Sequence, residues 1–388
     1  MNQIYLDNNA TTPLDPRVYE GMESYNKEFF GNPASGHVYG YKTAAAILKS
    51  RKRIADLIGT RALNILFTSG ATESNNMVVL GMAMKYLPIF NKSLESSDGI
   101  HIITSNVEHK CVLETCRRAA EWGAELTVLA ANEFGMIELE DLEKAIRPNT
   151  RLVSLIFANN EIGSVNPIHE IGALCRSRGI IFHTDAAQAA GKLEIDVDSM
   201  NIDLLSISGH KIYGPKGVGA LYLRDGVDFP ALTLGGGQEK GLRSGTHNVP
   251  GIVGLGLACE IAALDKNEDH KRIFEMSSWL SREILKNVPG TRLNGHPERR
   301  LYGNISISFN GFTPGVLKKE LSEISFSTSS ACSSSASKPS YVLKALGLSD
   351  EDALATVRFG LGRFTTWEEV KTTAEKVLAM SHKYSYSC

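Results

Sequence analysis

Lys211 stands in the stretch Ser206 to Gly219, SISGHKIYGPKGVG, on a small-residue turn fed directly by a short β-branched run, Asp203 to Ile207. A lysine held at a strand end and partly desolvated can lose its proton and attack a carbonyl, which makes Lys211 a candidate for a Schiff base with an aldehyde cofactor. An ordinary surface lysine on a glycine-rich turn accounts for the same residues. Gly70, Ala71 and Thr72 follow an apolar run, Leu63 to Phe67, and open a helical pattern. Backbone N–H groups and a hydroxyl at the positive end of a helix form an anion cradle. No GxxxxGK precedes that helix, so a nucleotide loop of the Walker type is excluded; a plain helix cap by Ser69 or Thr72 is the competing reading.

Four more residues carry potential chemistry. Asp185 follows the apolar GIIF and is read as a partly buried carboxylate. Such a group either meets a partner that carries a proton, as the ring nitrogen of a pyridoxal cofactor does, or caps the helix starting at Ala186. His109 suits the face of a flat ring or a proton shuttle, with a structural histidine as the alternative. Arg358, in ATVRFGLGRF, has a forked guanidinium that holds a carboxylate through two parallel hydrogen bonds, or else makes a structural ion pair. Cys332 lies among Ser329, Ser330, Ser333, Ser334 and Ser335. A thiol in so polar a segment is expected to be exposed and able to travel, or to be incidental.

The elements that must position these groups alternate as strand, polar turn and helix. Leu63 to Phe67 leads into TSGATESNN, Ile100 to Ile103 into TSNVEHK, LVSLIF into ANNEIG, GIIF into HTDAAQ, and LLSIS into GHK. Such alternation predicts a mostly parallel sheet covered by helices, and in open sheets of this kind ligands bind beyond the C-terminal strand ends. His109, Asn159, Asn160, Asp185, Gln188, His210 and Lys211 all fall there. Further helices are predicted at Pro16 to Lys27 and Tyr41 to Ile58. After GGGQEKGLRSGTHNVPG the composition turns to an amphipathic helix, Ile252 to Leu264, and then to charged helical sequence. A large domain is therefore expected over 16–260, and a smaller α+β domain over 1–15 and 261–388, the latter carrying the serine-rich loop at about 326–340.

With 388 residues, 43% apolar and 22% charged content, the chain has the length for a large core. A formal net charge of -2 supplies no field that would gather phosphate backbones, so no nucleic-acid partner is implied. Six scattered cysteines, without CxxC or zinc-type His/Cys spacing, suit a reducing compartment and imply no metal. Met1 to Leu6 has neither a basic nor an apolar leader character, so the expectation is a cytoplasmic chain without a membrane anchor.

Taken together and in order, IYLDNNATTPLD, GNPASGH, TSGATESNN, VEHK, NNEIG, HTDAAQ, SGHKIYGPKG, GGGQEKGLRSGT, SSACSSSAS and VRFGLGRFTT resemble the pyridoxal-phosphate-dependent cysteine desulfurases of the NifS and IscS type. The resemblance spans nearly the whole chain. It implies a fold-type I aminotransferase-like α/β fold and a homodimer. Pyridoxal 5'-phosphate is the implied cofactor, L-cysteine the substrate, L-alanine a product, and a scaffold or sulfur-carrier protein the acceptor in iron-sulfur assembly or thiolation. It further implies that Lys211 is the Schiff-base lysine, His109 the ring-stacking histidine, Asp185 the partner of the pyridine nitrogen and Gln188 a neighbour of the ring hydroxyl. Ala71, Thr72, Ser208 and His210 match phosphate-binding positions, and Thr246 matches the one supplied by the neighbouring subunit. Asn160 and Arg358 match positions that hold the amino acid, and Cys332 matches the nucleophile that keeps the sulfur as a persulfide, with cationic His109 favouring its thiolate. The alternative is another lyase or aminotransferase on the same fold, such as a selenocysteine lyase.

Overall fold

The computed structural model describes residues 3–91, 93, 99–328 and 338–385. Elements in the first part are β1 (Ile4–Tyr5), α1 (Pro16–Lys27), α2 (Val38–Leu57), β2 (Ile65–Thr68), α3 (Ala71–Tyr86), β3 (His101–Ser105), α4 (Lys110–Glu121), β4 (Glu125–Leu129), α5 (Leu139–Ala145), β5 (Thr150–Ser154), α6 (Ile168–Ser177), β6 (Ile181–Asp185), β7 (Leu204–Ser208) and β8 (Gly219–Leu223). They are followed by α7 (Val249–Asn287), β9 (Thr291–Leu293), β10 (Asn304–Phe309), α8 (Pro314–Glu320), β11 (Ile324–Ser325), β12 (Ser327–Thr328), α9 (Tyr341–Ala345), α10 (Asp350–Leu354), β13 (Thr356–Gly360) and α11 (Trp367–Ser385).

Seven strands form the main sheet in the order β2-β8-β7-β6-β5-β3-β4. From β4 to β7 every neighbouring pair is parallel. Strands β2, β3 and β7 are buried along their whole length, as expected where helices cover both faces of a sheet. Because β8 is antiparallel to both β7 and β2, β2 runs with the parallel set, and Thr68 ends at the same edge as Ser105, Asp185 and Ser208. The chain leaves β3 toward the β4 edge and β5 toward the β6 side, so the order reverses between β3 and β5. A crevice at that reversal is where an open α/β sheet receives a ligand.

Local chemistry sets the helix starts that matter here. Asp15 accepts from the Arg17 N–H at 2.9 Å, and Pro16 occupies the first turn of α1, where its missing N–H is not needed. Asn248 accepts from the Gly251 N–H to start α7. The run read from the sequence as an amphipathic helix followed by charged helix is one continuous helix of 39 residues. Its first half packs Ile252, Val253, Leu255 and Ala258 into the buried cluster around the main sheet. Its second half packs Ile273, Met276, Leu280 and Ile284 into a separate cluster with Leu6, Ile307, Val357 and Phe359. That second cluster lies against a four-stranded sheet of order β12-β13-β10-β9.

Candidate active site

The edge where the parallel strands end opens into a cleft of about 1020 Å³. Asp185 enters it from the last position of β6, and Gln188 from the turn that follows. Ser208 ends β7 and leads into a short 3-10 turn, Gly209–Lys211, which brings in His210 and Lys211. Ala71 and Thr72 come from the first turn of α3, His109 from the cap of α4, and Asn160 from the loop after β5. Arg358 reaches the same cleft from β13, in the second sheet. Thr246 stands apart: it is exposed on the loop before α7 and is not brought to the cleft by this chain. Cys332 lies outside the described residues.

Lys211 points into the structure rather than into solvent, with Nζ donating to the carbonyls of Asn9 and Ala10 at 2.8 and 2.6 Å. The Asn9 carbonyl also accepts from Gln188 Nε2 at 2.8 Å. A second amine, Lys192, donates to Gln188 Oε1 at 3.0 Å, and burial pushes its ammonium down to about 7. Of these two amines Lys211 alone lines the large cleft; Lys192 lines only a cavity of about 30 Å³, which Lys211 also reaches. Asp185 is buried, with one carboxylate oxygen accepting from Asn75 Nδ2 at 2.7 Å and the other from the Ala187 N–H at 2.9 Å. No helix starts at Ala186, since residues 187–192 form a turn, so the helix-cap reading falls: the carboxylate holds the first N–H of that turn and lines the cleft.

Gly70, not Ser69 or Thr72, occupies the cap of α3, and no side chain caps that helix. The turn is close to β8: a Cβ on Gly219 would come within 2.6 Å of Gly70 Cα and 2.5 Å of the Ile207 carbonyl. Only hydrogen fits at position 219. Glu73, in the first turn of α3, is bound by Arg243 at 2.8 Å; burial alone would raise its carboxyl, but the bonds from Arg243 and Ser69 hold it below the usual range.

Arg358 donates to the Asn160 carbonyl at 2.9 Å and to Asp7 and Ser327 at 2.7 Å each, while its Nε is buried without a hydrogen-bond partner among the described residues. His210 accepts or donates at Nδ1 with Thr11 at 3.1 Å, and burial, reinforced by Lys211, Lys216 and Lys192, pulls its ring down to about 4. His109 is also held below the usual histidine value, first by burial and then by Lys211 and Lys110, against the opposing pull of Asp185. These groups favour the neutral ring, which weighs against the expectation that a cationic His109 favours a thiolate.

An uncapped helix N-terminus with hydroxyls and neutral His210 beside it suits a phosphate; a buried carboxylate suits a protonated ring nitrogen; an inward amine at the cleft suits an aldehyde. The residues present thus fit pyridoxal phosphate.

The aminotransferase class-V family model matches residues 4–372. The chain belongs to the class-V aminotransferases, among the cysteine desulfurases. A cysteine desulfurase of Homo sapiens is 48% identical over 381 residues, covering 97% of this chain and 81% of that protein. Among solved structures, a NifS-like protein superposes with a TM-score of 0.89 at 34% identity, covering 99% of this chain and all of the other, 100%. A structure described as SspA in complex with cysteine superposes with a TM-score of 0.82 at 39% identity, covering 94% of this chain and 100% of that one. The fold is that of fold-type I enzymes, the cofactor is pyridoxal 5'-phosphate, and the activity is that of a cysteine desulfurase acting on L-cysteine.

One expectation falls with these comparisons. Relatives named as mitochondrial in Drosophila melanogaster (47% identical, 97% of this chain and 80% of that protein) and mitosomal in Encephalitozoon cuniculi (46%, 98% and 87%) point to an organelle, which corrects the cytoplasmic reading. Among the described residues no helix is long and apolar enough to cross a membrane. Reading the sequence also passed over Asn9, Asn75, Cys111 and Lys192. The first two lie within motifs that had been singled out, LDNNATT and TSGATESNN, but only the fold shows which of their polar residues face the site.

Proposed function

We propose that this cysteine desulfurase hands the sulfur of L-cysteine to Cys332, with Lys211, His109, Asn160 and Arg358 as the groups that act on the substrate. The observation that carries this reading is the meeting of Lys211, Asp185 and Arg358 in one cleft, whose wall continues through the described residues on either side of Cys332, Ser327 and Thr328 before it and Lys338 to Tyr341 after it. In this reading Ala71, Thr72, Ser208 and His210 hold the cofactor's phosphate, joined by Thr246 of the partner subunit. Asp185 holds the pyridine nitrogen, Gln188 the ring hydroxyl and His109 the ring face. Pyridoxal phosphate supplies an electron sink beside the substrate α-carbon, which loosens its α-proton and the C–S bond.

The protein's own groups do the rest. Arg358, already oriented by Asp7 and Ser327, takes the substrate carboxylate. Asn160 lies beside it. Lys211, steered by the Asn9 and Ala10 carbonyls, moves the α-proton at its Nζ. The thiolate of Cys332 then attacks the substrate sulfur: an S–S bond forms, the C–S bond breaks with its electron pair going to the carbon side, and L-alanine leaves once that carbon is protonated. Cys332 is left as a persulfide for a scaffold or sulfur-carrier protein. A homodimer is the working unit, a reading supported by exposed Tyr19, Phe30, Tyr39 and Tyr41 on and between α1 and α2. The division into 16–260 against 1–15 with 261–388 is retained, supported by the separation of the cluster packed on the second half of α7 from the one packed on its first half.

Cys332→Ala tests the sulfur route. The variant is expected to keep the cofactor's visible absorbance and to lose sulfide release from L-cysteine by at least about 100-fold; desulfuration at the unaltered rate refutes the assignment.

A further inference from the structure

Cys111, at the second position of α4, lies against His109 and lines the cleft. The His109 Nδ1 faces two groups of this residue, its backbone N–H at 3.2 Å and its Sγ at 2.9 Å. A backbone N–H only donates, so Nδ1 is the acceptor and the proton of the neutral ring sits on Nε2. Burial, reinforced by the charge of Asp185, pushes the Cys111 thiol up to about 12, so the sulfur keeps its proton. With its S–H toward Nδ1, the sulfur's lone pairs face Asn75, whose Nδ2 donates to it at 3.1 Å. The same Nδ2 donates to Asp185 at 2.7 Å. Asn75 is fully buried, and its Oδ1 has no partner among the described residues. A buried amide that leaves its oxygen unpaired while its nitrogen serves two acceptors is held for what the nitrogen does.

We propose that Cys111 is a positioning residue: oriented by Asn75, its thiol donates to Nδ1 of His109, fixes the ring in the tautomer protonated on Nε2, and ties the ring's orientation to Asp185 through the chain Asp185, Asn75, Cys111, His109. The consequence for the site rests on the role of His109 given above, whereas the bond to the ring does not.

Proton uptake at Nδ1 must break the S–H bond, so Cys111 adds to the groups that keep the ring neutral. The charged groups facing His109 are Lys211 and Lys110, which act in the same sense, and Asp185, which opposes them. The test is ¹⁵N NMR of histidine-labelled, pyridoxal-phosphate-loaded enzyme, with the His109 signals identified by their loss in His109→Gln. In the unaltered protein Nε2 is expected to give the protonated and Nδ1 the unprotonated shift. In Cys111→Ala the ring's titration midpoint is expected to rise by about one pH unit, and in Cys111→Ser, which restores a donor, to return most of the way. An unmoved midpoint in Cys111→Ala overturns the proposal, and so does a Cys111→Ser variant that titrates like Cys111→Ala. Because the ring itself is read, a failure of His109 to act on substrate leaves this result standing.

Discussion

Glu108 precedes His109 and is wholly buried, its Oε1 accepting from Ser105 and from the Ile156 N–H while Oε2 has no partner among the described residues. Burial raises its carboxyl to about 8, with the charge of Asp185 adding to the effect. A raised folded-state value means that the unfolded chain releases this proton near the ordinary 4.5 while the folded chain holds it to about 8. Stability is therefore complete below the ordinary value and is lost as pH rises through this window. Glu108→Gln removes the titration and keeps an acceptor for Ser105 and Ile156. Urea unfolding is expected to find the variant more stable than the parent by about 4 kcal/mol at pH 8 and nearly equal to it at pH 4.5; a pH-independent difference contradicts the assignment. His210 contributes in the opposite window. Its value, depressed to about 4, gives stability that is present above the ordinary 6.5 and lost as pH falls toward 4.

Among the elements, the turn between β2 and α3 depends on a residue from another strand. Gly219 opens β8, where it pairs with both Thr68 and Ser208, and the Gly70 turn sits where its side chain would be. Gly219→Ala forces backbone against backbone, a strain costing about 1–3 kcal/mol. It is expected to lower pyridoxal-phosphate affinity on the order of ten-fold by moving the α3 N-terminus. Cofactor titration and thermal unfolding read the two effects, and unchanged values in both sink the explanation. The loop before α7 is anchored similarly. Glu239, at φ 48° and buried, is held by Arg51 at 2.7 Å and His247 at 2.6 Å and accepts from the Phe67 N–H, which holds its carboxyl near 2 although burial opposes this. Arg51→Ala leaves that carboxylate short of its main partner, an expected loss of about 3 kcal/mol with faster amide exchange across 235–247; exchange confined to α2 argues against the anchoring role.

At the scale of the molecule, the cleft needs both buried clusters, because Lys211 and Asp185 come from the main sheet and Arg358 from the second. Arg363 fastens the two together. It is buried between Asp15, before α1, and Asp269, on α7, at 2.9 and 2.8 Å, and its N–H donates to the Tyr213 hydroxyl close after Lys211. Arg363→Ala leaves Asp269 with only the longer pair to Arg272 at 3.8 Å and weakens the hold on Asp15, with an expected cost of about 3 kcal/mol; a melting temperature that does not move contradicts this.

The strand and helix rhythm was legible because each turn after a strand is polar and each strand is a short apolar run; helix α1 even matches its expected limits. Lys211, Asp185, His109 and Arg358 were legible as candidates for the same reason: reactive types at strand ends or among apolar neighbours. Other features depend on contacts distant in sequence. That α7 runs unbroken through two clusters, that Gly70 rather than Ser69 caps α3, and that Asn75 bridges Asp185 and Cys111 follow from packing that no local pattern encodes. Lys192 was missed because a lysine half-buried in the turn after β6 looks, in sequence, like one on the surface.

That second amine gives the most direct test of the central assignment. Borohydride reduction of the pyridoxal-phosphate-loaded enzyme, followed by peptide mapping, fixes the cofactor covalently to whichever amine holds it. The open cleft before Lys211 predicts the label on Lys211 alone; a label on Lys192, or a fully labelled Lys211→Ala variant, contradicts the account.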